Sequence, residues 1–119
     1  MTEHAMNLHP APFAMIRSGE KTIELRLYDE KRQTIAVGDA IRFNNTGVEG
    51  GTLLTKVTAL HRFDSFEELY RQLPLLKCGY TEEDVGTASP KDMDKYYPPE
   101  KQKEYGVLGI EISLLEKER

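Results

Sequence analysis

Apolar positions recur along this chain with two different periods, and the switches between periods mark its elements. Phe13 and Ile16, with Met15, have helical spacing and predict a helix from Pro10 to Ser18, which Gly19 can cap in the left-handed conformation. From Lys21 to Tyr28 the period falls to two. Ile23, Leu25 and Leu27 face one way, and Thr22, Glu24, Arg26 and Tyr28 face the other, the signature of a half-buried strand. A charged connection, Asp29 to Thr34, leads to Ile35-Ala36-Val37-Gly38-Asp39, a turn before a second strand, Ala40 to Asn44. The three glycines between Asn45 and Gly51 predict a mobile loop.

Thr52 to Phe63 is rich in β-branched residues and predicts a long strand with Leu53, Val57, Ala59 and Phe63 on one face. Ser65-x-x-Glu68 is a capping box that opens a helix from Phe66 to Leu73, which Pro74 ends. Residues 77–104 are polar and proline-bearing and predict one or two short helices with loops. Tyr105 to Leu115 is a last strand, burying Leu108, Ile110, Ile112 and Leu114 and exposing Gly109, Glu111 and Ser113. Strands of this kind with interspersed helices predict an α+β domain. A small, partly open β-barrel with flanking helices would bury every apolar face.

Composition narrows the classes of function. At 119 residues the chain is one domain, and with 39% hydrophobic and 30% charged residues it has no stretch approaching the ~18 apolar residues of a membrane helix. The start, Met1-Thr2-Glu3-His4, has no secretory pattern, and the single cysteine, Cys78, cannot form an internal disulfide; a reducing cytoplasm is the expected compartment. Sixteen Lys+Arg against 20 Asp+Glu give a net charge of -4, which argues against coating nucleic acid by bulk charge. The acidity is local, however. Residues 1–43 are neutral, with six basic and six acidic side chains, whereas residues 77–119 carry seven basic against ten acidic ones. A nucleotide or polyanion would be met in the N-terminal third.

That third holds Gly19-x-Lys21-x-x-Glu24-x-Arg26. On a strand, Glu24 and Arg26 share a face about 7 Å apart. A guanidinium offers a fork of donors and a carboxylate accepts from exocyclic amines, so the pair could hold a phosphate and a base edge together. The same alternation also describes a solvated strand face whose charges merely pair.

Ser18-Gly19-Glu20-Lys21-Thr22-Ile23-Glu24-Leu25-Arg26-Leu27, followed by Asp29-Glu30-Lys31-Arg32 and Ile35-x-Val37-Gly38-Asp39-x-Ile41-x-Phe43, resembles the ASCH domain of the PUA-like superfamily. Tyr96-Tyr97-Pro98 and Glu104-Tyr105-Gly106-Val107-Leu108-Gly109-Ile110 are similar to that family's closing segment. The resemblance runs from about Met6 to Leu115, and it is to the small, single-domain bacterial or archaeal type, so residues 1–119 form one such domain. It implies a β-barrel with helices around a cleft that binds RNA or nucleotides, lined by Lys21, Glu24 and Arg26. Some small members are amidohydrolases that deacetylate acetylcytidine with a lysine, a threonine and a glutamate. Lys21 matches their lysine, while Glu24 stands at the threonine position and Thr22 points to the opposite strand face from Lys21. Their glutamate falls near Glu82 and Glu83. If the chain is an enzyme, Lys21 and Glu24 are its catalytic candidates.

A second cluster, Lys91 to Tyr105, interleaves tyrosines with lysines, so Tyr96 or Tyr97 could stack a base at the cleft mouth, or simply cover the barrel. Arg42 could add a phosphate contact. His4, His9, His61 and Cys78 have no metal-ligand spacing, and no metal or cofactor is implied. Three expectations follow: a cytoplasmic domain binding RNA, a nucleotide or a modified nucleoside; an amidohydrolase on acylated cytidine; or a protein-interaction module whose cleft is filled by its own side chains.

Overall fold

The computed structural model of the chain describes residues 2–47 and 51–118. Five strands form one mixed sheet in the order β1-β3-β4-β5-β2, curled into a half-barrel with helices on its flanks. In chain order the elements are β1 (Glu3–Leu8), α1 (Pro10–Ser18), β2 (Ile23–Leu27), β3 (Ala40–Asn45), β4 (Thr52–Phe63), α2 (Phe66–Gln72), α3 (Pro99–Tyr105) and β5 (Val107–Glu118). The connection from α2 to α3 is built from 3-10 turns at Leu75–Lys77, Val85–Thr87 and Pro90–Lys95, more of them than its composition predicted. Among the described residues no helix is long and apolar enough to cross a membrane.

The helices begin and end as expected. Gly19 caps α1 with φ 87° and donates its N–H to the Ile16 carbonyl. Ser65 accepts from the Glu68 N–H at the start of α2. The predicted loop Asn45 to Gly51 lies partly outside the described residues, and its first residue belongs to β3.

β1 is the element the apolar pattern did not announce, because only Met6 and Leu8 of its six residues are buried. It runs parallel to β3, with Met6 opposite Phe43. Asp39 anchors it: this carboxylate accepts from Thr2 N at 3.2 Å, Ala36 N at 3.0 Å and His4 Nε2 at 2.9 Å. The His4 contact and these backbone donors hold the Asp39 carboxyl down at about 2. The Val-Gly-Asp motif therefore ties β1 to the turn before β3.

The sheet is buried on both faces. Met6, Phe13, Ile16, Ile41, Phe43 and Leu53 join one cluster, with Val57, Leu108, Ile110 and Ile112. Ile23, Leu25, Leu27, Phe66, Leu69 and Val107 form the second, against α2 and the following turns. β5 serves both, and Gly109 is buried where its alternation suggested exposure, while Glu111 is half-buried and Ser113 exposed. A Cβ on Gly109 would stand 2.6 Å from Leu73 Cδ1, so glycine there lets the end of α2 close on the sheet. The single face predicted for β4 is also corrected. A register shift between Val57 and Ala59 inserts an extra residue, after which Leu60 packs with the first cluster and Phe63 with the second.

Candidate functional site

β1 and β2 are the two edges of the curled sheet, and the site lies in the gap between them. β2 pairs only with β5 and buries Ile23, Leu25 and Leu27 in the second cluster. This directs Glu24 and Arg26 into the gap. The Arg26 guanidinium donates through Nη2 to the Asn7 carbonyl of β1 at 2.9 Å and through Nε to Glu24 Oε2 at 2.7 Å. One side chain thus bridges edges that share no ladder.

Lys21 arrives by another route. Its N–H is held by the Met15 carbonyl and that of Thr22 by the Lys77 carbonyl, and β2 begins only at Ile23. Lys21 therefore escapes the strand alternation that would point it away from Glu24, and its Nζ lies 2.7 Å from Glu24 Oε1. Gly79, at φ +111°, stands against this side chain, with its Cβ position only 3.5 Å from Lys21 Cδ. Lys21 is 9% and Glu24 4% exposed, so this is not a solvated face with incidental pairing. Burial opposes ionisation of Glu24, yet the adjoining Lys21 and Arg26 charges and their hydrogen bonds hold its carboxyl below the usual range. Burial likewise opposes the Arg26 charge, and Glu24 outweighs it to raise that group. Two cations on one carboxylate leave a buried net charge of one positive unit.

A cleft of about 840 Å³ opens over these residues. Ala11, Pro12 and Met15 of α1 line one side; Tyr70, Tyr80 and Tyr97 line the other. Tyr97 is a pillar: its ring stacks on Phe66 at 6.1 Å and its hydroxyl donates to the Leu25 carbonyl at 3.3 Å. Tyr96 is 55% exposed at the mouth, with Lys95 Nζ 5.2 Å from its ring centre, and it has the freedom to stack a planar guest. The far wall is fixed by a hydrogen-bond chain. The Tyr70 and Tyr80 hydroxyls are 2.8 Å apart, and Tyr80 donates to Asp92 Oδ2 at 2.7 Å. Asp92 also accepts from Ser89 N at 3.1 Å, a capping box on the Pro90–Lys95 turn.

The structure brings together Lys21, Glu24, Arg26, Tyr96 and Tyr97. It places Arg42 elsewhere, on β3, where it hydrogen-bonds Glu3 of β1 and does not line the cleft. Glu82 and Glu83 are exposed and outside the lining, so neither takes the place of an acid facing Lys21. Asn7, Tyr80 and Asp92 were missed: Asn7 because it acts through its backbone, the others because their mutual contact spans 12 residues of irregular chain. The serine three before Asp92 was the available signal. Cys78 lines the cleft as a buried thiol, pushed up by burial to about 11. Among the described residues no group of three His, Cys, Asp or Glu side chains could hold a metal ion.

A half-barrel closed by a buried Lys-Glu-Arg bridge under a tyrosine-walled cleft defines a small α+β domain of PUA-like architecture. The ASCH domain family model matches residues 6–116, and the chain belongs to that family. It is similar to the crystal structure of hypothetical protein PH0355, with 33% identity, TM-score 0.78 and coverage of 96% of this chain and 100% of that one. The solution structure of protein PF0455 from Pyrococcus furiosus gives 34% identity and TM-score 0.71, covering 97% and 99%. The S128A mutant of the ASCH protein from Zymomonas mobilis shares the fold at 16% identity and TM-score 0.66, covering 94% of this chain and 68% of that one. No curated protein gives a significant match.

A carboxylate with both oxygens bound to cations and its ionisation assisted is a weak general base near neutrality. Thr22 does not line the cleft, and the Thr87 hydroxyl that does is donated to the Asp84 carbonyl.

Proposed function

We propose that this domain binds a nucleotide unit, free or within single-stranded RNA, in the cleft between β1 and β2. The observation that carries it is the buried Lys21–Glu24–Arg26 bridge, whose spare positive charge faces a cleft flanked by an exposed tyrosine. Lys21 and Arg26 meet phosphate or carbonyl oxygens with donors that Glu24 leaves unused. Glu24 fixes both cations and keeps further lone pairs for a base amine. Tyr96 stacks the base. An open cleft of this size weighs against a module plugged by its own side chains.

Titration of short RNA oligomers and modified nucleosides against the wild type, Arg26→Ala and Arg26→Lys, at two salt concentrations, tests it. The wild type binds, Arg26→Ala loses most of the affinity, and Arg26→Lys retains part of it. Equal binding by all three, or binding by none, would sink the proposal. Acetylcytidine in the same series, followed spectroscopically, reads hydrolysis directly; turnover that disappears in Lys21→Ala would make the protein an amidohydrolase instead.

A further inference from the structure

The tyrosine wall of the cleft is a hydrogen-bond chain whose direction is fixed, and the direction decides what the wall offers a ligand. Tyr70, Tyr80 and Asp92 all line the cleft. Asp92 Oδ2 accepts from Ser89 N at 3.1 Å and from the Tyr80 hydroxyl at 2.7 Å. These two donors hold the Asp92 carboxyl below its usual range, so near neutrality it only accepts. A phenol has one proton, and that of Tyr80 is committed to Asp92. The 2.8 Å contact between the two hydroxyls is therefore Tyr70 donating to Tyr80. Both protons run along the chain toward Asp92, and only lone pairs remain on the two oxygens.

Neighbouring hydroxyls of the lining are spent in the same way. Tyr97 donates to the Leu25 carbonyl at 3.3 Å, and Thr87 to the Asp84 carbonyl at 3.1 Å. Lys95 also lines the cleft and acts electrostatically on Asp92, but it is exposed, with Nζ 5.2 Å from the centre of the Tyr96 ring. The buried cations, Lys21 and Arg26, supply the donors instead. The two ends adjoin: the Cβ position of Gly79 is 3.7 Å from Lys21 Nζ, and Tyr80 is the next residue. Tyr80 packs edge-on against Tyr70, with ring centres 5.8 Å apart at 79°, which holds their oxygens in place.

We infer that the Tyr70–Tyr80–Asp92 chain is the specificity element of the cleft, accepting from an amino group on the ligand and disfavouring a carbonyl oxygen in its place. The inference rests on the cleft reading above and narrows it. The preferred nucleotide carries an exocyclic amine, as adenine and cytosine do, while its phosphate meets Lys21 and Arg26. A carbonyl at the wall would face lone pairs with no proton between them, leaving polar groups on both sides unmatched.

The test is isothermal titration calorimetry of the full chain with two pairs of 5′-monophosphates, adenosine against inosine and cytidine against uridine. Each pair exchanges an amine for a carbonyl. The wild type binds the amino member at least about five-fold more tightly, as one unmatched polar group requires. Tyr80→Phe frees the Tyr70 proton for the ligand, so the amino member weakens and the carbonyl member binds about three-fold more tightly than to wild type. Tyr70→Phe removes one acceptor but leaves Tyr80 donating to Asp92; the amino preference shrinks, and the carbonyl member gains nothing. Glu24 alone would also favour an amine, but that preference would not respond to Tyr80→Phe. Equal binding of both members by the wild type, or a Tyr80→Phe protein that weakens both alike, would overturn the inference while sparing the cleft. Binding of none of the four discards the cleft reading and this inference with it.

Discussion

Glu24→Gln is the sharpest perturbation of the site, because it removes charge and almost no volume. In the wild type one carboxylate at 4% exposure neutralises one of two buried cations, with both contacts at 2.7 Å. The amide leaves Lys21 and Arg26 facing each other without an anion. Breaking a buried ion pair by removing one partner costs about 3–5 kcal/mol. An unfolding entropy of about 2.1 cal/mol/K per residue gives ~0.25 kcal/mol/K for a chain this long, so Tm falls by about 12–20 °C. Lys21→Met is the control: it leaves the Glu24–Arg26 pair intact and neutral, and it should cost less than half as much. The pH dependence sharpens the test further. The folded Glu24 carboxyl lies below its unfolded value of about 4.3, so its contribution is present above that pH and is lost as pH falls through the folded value. Differential scanning calorimetry from pH 7 to pH 3 should therefore show the full gap between wild type and Glu24→Gln at neutrality, narrowing below about pH 4. A Glu24→Gln protein within about 3 °C of wild type at pH 7, or a gap as wide at pH 3, refutes the assignment of a charged buried carboxylate.

Three smaller perturbations test the surroundings. Gly79→Ala forces a side chain into φ +111° against Lys21, so it should cost about 1–3 kcal/mol in urea unfolding and weaken ligand binding as well; a neutral result would mean the segment yields freely. Tyr80→Phe removes the centre of the Tyr70–Tyr80–Asp92 chain and should cost about 1–2 kcal/mol, whereas Tyr96→Phe, at a ring whose hydroxyl has no hydrogen bond among the described residues, should leave stability unchanged. Iodoacetamide should label Cys78 in the folded protein at pH 8 at least ten-fold more slowly than in urea, since burial raises its thiol to about 11; equal rates would place the thiol at the surface.

How far the sequence reveals such a site depends on whether a residue is ruled by its own strand or by a neighbour distant in the chain. Ile23, Leu25 and Leu27 fixed the phase of β2, and that phase put Glu24 and Arg26 on one face, as the ladder to β5 requires. Lys21 obeys no ladder. Its direction is set by Met15 and Lys77 carbonyls that hold the backbone on either side of it, so extending the alternation two residues too far turned it the wrong way. β4 failed similarly in part: an inserted residue after Val57 exchanges the two faces, and no composition signal marks it. The placement of Arg42 away from the cleft was not legible because its partner, Glu3, belongs to a strand with only two buried residues.

The same weakly marked strand explains why the cleft exists. β1 lies at one edge of the sheet and β2 at the other, and the sheet curls until those edges approach without pairing. Edge strands left with unpaired backbone groups invite association, and a protein must cover or bond them. Here Arg26 answers part of that demand by donating to Asn7 O, and Glu24 is buried to hold Arg26 in place. Lys21 adds a second positive charge where a single cation would have balanced the carboxylate. Closing the seam needs Arg26 and its carboxylate; the excess cation is what seam closure does not require, and it is the part that binding an anion does. Stability and ligand affinity should therefore separate in Lys21→Met, which keeps the seam, loses the spare charge, and is expected to fold well and bind poorly.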